Sequence, residues 1–232
     1  MIKKYRHLLF DLDKTIWDFD RNSESTIREI YAMLGLKAKG IEDFEEFHRI
    51  YEQHNLKLWD LYRRDKIVKE DLMVKRFADA LIDFGVDEPD TAQLFSNRYL
   101  EILPSRTCVF PGTYEVLDYL SGKYTLHIIT NGFSEVQYTK LNNAGMDKYF
   151  SQVITSEDAG AKKPDKAIFG YALNLIGAKT QECLMIGDDI EVDLIGAKLA
   201  GIDQVYFNPN RKEHQEELTF EIFSMRGLME IL

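Results

Sequence analysis

The chain has 232 residues, a hydrophobic content of 45% and a formal net charge of −10, long enough for one large domain or a core with a smaller appendage. An acidic balance without a long basic run argues against a nucleic-acid polymer or an anionic membrane surface as the main partner, and no apolar run approaches the ~20 residues that span a bilayer. A phosphorylated small molecule remains open, because one divalent cation and one well-placed lysine reverse the potential locally.

The two cysteines, Cys108 and Cys183, fit no paired metal-ligand spacing, and Cys183 lies in an apolar run as a small buried hydrophobe would. The N-terminal apolar stretch is too short for a signal peptide and is followed at once by acids. These features predict a soluble, cytoplasmic protein in a reducing compartment.

The first predicted strand is the run Leu8-Leu9-Phe10, and Asp11-Leu12-Asp13-Lys14-Thr15 follows directly. Ile27, Ile30, Tyr31 and Leu34 then keep helical spacing, with Asn22 or Ser23 as the expected cap. Further helices are predicted over 42–64, 70–84 and 90–103, with breaks near Gly40, Lys66 and 85–89. From Thr107 short apolar runs (Leu126–Ile129, Val153–Thr155, Cys183–Ile186, Val205–Phe207) alternate with helical segments near 113–122, 134–144, 166–176 and 190–200. Such alternation predicts an α/β fold with a doubly wound parallel sheet. Residues 1–16 and 107–232 would form that core, and 17–106 an inserted all-helical cap placed as a lid over the strand ends.

Four strand ends carry polar groups. Asp11 and Asp13 lie on one side of the first strand's exit, because side chains alternate along a strand. In isolation the pair also reads as an acidic turn. Thr130-Asn131-Gly132 ends the second strand with a hydroxyl and an amide able to donate to phosphate oxygens, and a glycine that allows close backbone approach. Lys163-Pro164 follows the third. The proline favours an extended predecessor and the first position of the next helix, so Lys163 is suited to bridge a carboxylate and a phosphate. Gly187-Asp188-Asp189, with Asp193 beyond, ends the fourth. Clustered carboxylates favour a divalent metal, and oxygen-only ligands point to Mg²⁺, although acids at a helix start also suit the dipole.

The ordered set DxDxT, TNG, KP and GDD-x4-D resembles the haloacid dehalogenase-like hydrolase superfamily across nearly the whole chain. Residues 109–174 are similar to its pyrimidine 5'-nucleotidases with a helical cap, as is the segment LWDLYRRDKIVKEDL. The resemblance implies a Rossmann-like core and a Mg²⁺-dependent phosphomonoester hydrolase acting through an aspartyl-phosphate. Asp11 would be the nucleophile and Asp13 the acid and base. Thr130, the amide of Asn131 and Lys163 would hold the phosphoryl group. Asp11, the Asp13 carbonyl and Asp188 would hold the metal. Asp193 would orient Lys163 or a water beside the metal, with Asp189 as its rival. Asp13 favours an ester over a halide, because a halide leaves without a proton.

The implied substrate is a small phosphorylated metabolite, most specifically a nucleoside monophosphate, recognised by the cap and by Phe19, Trp59 or Tyr62. Those aromatics also fit helical core positions. A sugar-phosphate phosphatase, a phosphomutase, and a non-catalytic phosphoacceptor or binding domain are the other readings. The expected assembly is a monomer or small homo-oligomer, and His7, His48, His54, His127 and His214 receive no catalytic role.

Overall fold

The computed structural model describes residues 5–232. Their six strands are β1 (His7–Phe10), β2 (Thr125–Thr130), β3 (Phe150–Thr155), β4 (Cys183–Gly187), β5 (Asp203–Phe207) and β6 (Phe220–Ile222). They form one sheet in the order β3-β2-β1-β4-β5-β6, and every pairing is parallel. Near-continuous apolar runs suit this arrangement, since the inner strands are covered on both faces. Leu9, Ile129, Ile154, Cys183 and Met185 share one packed layer with Ile168, Phe169 and Ala197. Leu8 and Phe10, fully buried, project to the opposite face by strand alternation.

The helices are α1 (Phe19–Met33), α2 (Phe44–Arg63), α3 (Lys69–Asp83), α4 (Pro89–Ile102), α5 (Thr113–Ser121), α6 (Ser134–Asn143), α7 (Ser156–Ala159), α8 (Lys166–Ile176), α9 (Gly196–Leu199) and α10 (Leu228–Ile231). Two compact units result. One runs through Phe19 and resumes at Thr107–Leu232, and the other is Asp20–Arg106. The break thus falls after Phe19 rather than after residue 16, because Trp17 bridges to both Asp13 and Val109 and belongs to the core. Within the helical unit Phe77 stacks on Phe95 (4.5 Å) and Tyr51 (5.1 Å), with Tyr99 at 5.2 Å. No helix among the described residues is long and apolar enough to cross a membrane.

Local expectations shift at four places. Helix α1 starts at Phe19, so Asn22 and Ser23 lie inside it, buried, and the Ser23 hydroxyl pairs with Tyr99 Oη at 2.8 Å instead of capping. Pro164 precedes α8 without opening it; Asp165 is the cap, accepting from Ala167 N at 2.9 Å. The segment after β4 is a π-helical turn over Ile190–Ile195 followed by the short α9. Strand β6 is too short to leave a recognisable period.

The register aligns the carboxyl ends that matter. Phe10 pairs with Ile128 on one side and Ile186 on the other, and Asp11 N donates to the Ile186 carbonyl at 2.9 Å. Asp11, Thr130 and Asp188 therefore leave the sheet at one level. This is also where the strand order reverses, between β1 and β4, and such switch points form ligand crevices in open α/β sheets.

Candidate active site

The loop after β1 is tightly folded. The Leu12 carbonyl accepts from both Ile16 N (3.0 Å) and Trp17 N (2.9 Å), Lys14 N donates back to Trp17 O, and Lys14 takes φ +66° in the left-handed region. This fold leaves Asp11 and Asp13 in unlike surroundings. Asp11 is 8% exposed, and its Oδ1 accepts from Lys163 Nζ at 2.6 Å. Thr15 Oγ1, fully buried, lies 3.1 Å from Asp188 Oδ1 and 3.4 Å from Asp11 Oδ2, tying the first and fourth strand ends together.

Lys163 is the hub. Its ammonium makes three hydrogen bonds, to Asp11 Oδ1 (2.6 Å), Asp193 Oδ1 (2.6 Å) and the Ile129 carbonyl (2.8 Å), and the residue is 1% exposed. A buried cation requires such compensation. The main chain of Lys163 is fixed as well. Asn131 Nδ2 donates to its carbonyl at 2.9 Å, and Asn131 Oδ1 accepts from its N–H at 2.8 Å. The Asn131 carboxamide, expected to face phosphate, thus places its carbonyl oxygen and one of its two N–H groups on the Lys163 main chain.

Thr130 Oγ1 accepts from Gly132 N (3.0 Å) and Gln137 Nε2 (2.9 Å). With both lone pairs engaged, its hydroxyl proton is left to donate. Gly132 is required here, because a Cβ at that position would fall 2.0 Å from Gln137 Nε2. Gly187 plays the matching part for β4: a Cβ there would fall 2.4 Å from Asp193 Oδ2.

The acids beyond β4 divide. Asp193, buried, gives Oδ1 to Lys163 and accepts from Asp189 N on Oδ2 at 3.2 Å, so both oxygens are engaged by protein donors. Asp189 caps the π-helical turn, accepting from Val192 N at 3.0 Å. Asp188 is half-buried and accepts from Thr15 Oγ1 on Oδ1 at 3.1 Å. Asp11, Asp188 and Asp193 each bring one carboxylate oxygen within 4.8 Å of the others.

Burial pushes the Asp11 carboxyl up to about 7 against the opposing pull of Lys163. Burial, then the neighbouring Asp193 and Asp11 charges, raises Asp188 well above the usual carboxylate range. Burial also raises Asp193 despite Lys163. Burial alone would lower the Lys163 ammonium, but Asp11 and Asp193 outweigh it and its pKa rises. The cluster holds more negative charge than one lysine balances. That surplus fits a hard dication with oxygen ligands.

Of the aromatics, Phe19 is half-buried in the core unit, 6.2 Å from the Trp17 ring. Trp59 and Tyr62 belong to α2 of the helical unit and pack edge-on against each other at 5.7 Å. Gln137 and Lys140 were not among the sequence candidates, although the structure places both on Asp13. Their signal lies in the period of α6, where Gln137, Lys140 and Leu141 form the buried face between the buried flanking residues Phe133 and Ala144 and put a glutamine and a lysine at core positions.

Residues 5–201 match the haloacid dehalogenase-like hydrolase family. The chain belongs to that family. Pyrimidine 5'-nucleotidase PynA of Streptococcus pneumoniae is 31% identical over 98% of this chain and 95% of its own length. Pyrimidine 5'-nucleotidase YjjG of Escherichia coli is 29% identical over 99% of this chain and 98% of its own. The magnesium-bound, orthorhombic crystal structure of YfnB from Bacillus subtilis superposes with a TM-score of 0.89 at 29% identity, covering 99% of both chains. Full-length similarity of this kind makes the protein a phosphatase-type enzyme of the haloacid dehalogenase-like hydrolases.

Replacing Asn131 with Ala removes both hydrogen bonds to the Lys163 main chain. We expect a stability loss of about 1–3 kcal/mol in urea denaturation, accompanied by reduced turnover. Unchanged stability and turnover would show that Lys163 is held without the Asn131 clamp.

Proposed function

We propose that this hydrolase is a Mg²⁺-dependent phosphomonoesterase that works through an aspartyl-phosphate on Asp11 and acts on nucleoside monophosphates. The observation that carries the reading is the unlike treatment of two acids two residues apart. Asp11 is buried and gripped by Lys163, while the Asp13 side chain is 26% exposed and turned to other partners. Separate environments for paired carboxylates support separate roles.

Asp11 attacks phosphorus with the oxygen that Lys163 does not hold, forming the Asp11 O–P bond as the ester oxygen departs with its electron pair. Asp13 gives that oxygen a proton, then takes one from the water that cleaves the acyl phosphate and releases inorganic phosphate. The Thr130 hydroxyl and the residue 131 N–H donate to the phosphoryl oxygens, and Lys163 offsets their charge beside the nucleophile. Asp193 holds Lys163 in place. Asp11 and Asp188, with the Asp13 carbonyl, would hold the metal, whose charge screens an anionic nucleophile from an anionic substrate when bound. The acid cluster's surplus charge supports that assignment, as does the magnesium in the YfnB structure.

The nucleotide reading draws support from the names of the PynA and YjjG relatives, and it assigns base stacking to Phe19, a half-buried ring in the core unit. With Mg²⁺, phosphate release from pyrimidine nucleoside monophosphates should exceed that from ribose 5-phosphate in kcat/KM. Asp11→Asn should lower kcat by at least about 1000-fold on every ester while the protein stays folded. Turnover by Asp11→Asn near the parent rate would remove the nucleophile assignment, and equal rates on both substrates would remove base recognition.

The metal assignment has a consequence apart from activity. The folded Asp11 carboxyl, raised to about 7 from an unfolded value of about 3.9, holds a proton that the unfolded chain gives up. Stability of chelator-treated protein should therefore fall as pH rises through that window. Mg²⁺ competes with those protons and should flatten the slope, releasing protons as it binds at about pH 6. Calorimetric Mg²⁺ titrations in buffers of contrasting ionisation enthalpy check this; binding without proton release would contradict it.

A further inference from the structure

The family reading gives Asp13 a proton to carry but does not say what aims it. In this chain the Asp13 carboxylate is held from α6. Lys140 Nζ donates to Oδ1 at 2.7 Å and Oδ2 at 3.0 Å, and Gln137 Nε2 donates to Oδ2 at 2.9 Å. The Lys140 side chain is 3% exposed, with its ammonium 4.3 Å from the Trp17 ring centroid. Gln137 is fully buried, and the same Nε2 reaches Thr130 Oγ1 at 2.9 Å. One carboxamide thus joins the proton-carrying acid to the phosphate-facing hydroxyl. Gly132 adds an independent sign that this contact is built in, since its missing Cβ is the space that the Gln137 amide occupies.

The two carboxylate oxygens are not equivalent. Among the described residues Oδ2 accepts from two donors and Oδ1 from one. A carboxylate oxygen has two lone-pair sites, so Oδ1 retains one and Oδ2 none. The Trp17 face and the double contact to Lys140 restrict rotation about the Asp13 side chain.

We infer that Lys140 and Gln137 are positioning residues for Asp13, presenting Oδ1 as the oxygen that gives a proton to the leaving alkoxide and recovers one from water. The inference rests on the reading of Asp13 as the proton-transferring acid. A brace that merely ties α6 to the loop after β1 would show the same contacts but would not distinguish leaving groups.

The test is the dependence of kcat/KM on leaving-group basicity across a series of substituted phenyl phosphates with Mg²⁺. Because kcat/KM reports the step that expels the leaving group, a lost or misaimed acid penalises basic leaving groups most. Lys140→Met should lower kcat/KM by about 10–100-fold for the most basic phenol and by less than about 3-fold for the least basic, steepening the slope as Asp13→Asn does. Lys140→Arg, which keeps the charge and donors, should recover most of the loss. Gln137→Leu and Gly132→Ala, which disturb the amide without removing the lysine, should steepen the slope less and keep the question decidable if Lys140→Met does not fold. A uniform fall with an unchanged slope in the folded variants would overturn the inference while leaving Asp13 in place. A flat response of Asp13→Asn would instead overturn the role of Asp13 itself.

Discussion

The site depends on one buried ammonium. Lys163 reaches from the loop before α8 to hold Asp11 at the end of β1, Asp193 after β4 and the Ile129 carbonyl in β2, so three neighbouring strands meet on a single cation. A charge this deeply buried is tolerated only when its donors are satisfied, and here all three are used within the protein. The surrounding sequence serves that geometry. Asn131 clamps the lysine's main chain, and Gly187 leaves room for Asp193. Gly196 lets α9 lie against Pro164, because a Cβ there would meet the Pro164 carbonyl at 2.7 Å.

The same geometry separates two chemically identical side chains. Asp11 is desolvated and paired through Oδ1 with a lysine that is itself shared, while its Oδ2 faces the Thr15 hydroxyl at 3.4 Å. Asp13, two residues on, is turned toward Lys140 and Gln137 by the tight loop through Leu12 and Trp17. A halide would leave without a proton. A second, separately oriented acid is therefore what the phosphomonoester reading rests on, and the two acids differ by position more than by residue type.

Much of this was legible in the sequence because apolar strands interrupted by acids, hydroxyls and glycines announce where a parallel sheet opens. Five of the six strands among the described residues and the helical insertion follow from periodicity, and DxDxT, TNG and GDD mark strand ends on neighbouring strands, with KP in the loop before α8. What escaped depends on long-range contact. Asn131 meets a main chain 32 residues away, Ser23 is drawn to Tyr99 instead of capping a helix, and the period of α6 puts Gln137 and Lys140 on its buried face without naming Asp13 as their partner. Tertiary partners, unlike periodicity, leave no local signal.

The central claim is that Asp11 carries the phosphoryl group. Quenching the enzyme during turnover of a nucleoside monophosphate with borohydride reduces an acyl phosphate to the corresponding alcohol, and peptide mass mapping then locates it. The account predicts conversion of Asp11 to homoserine, dependent on substrate and absent when substrate is omitted. Reduction at another aspartate, or none during active turnover, would contradict it.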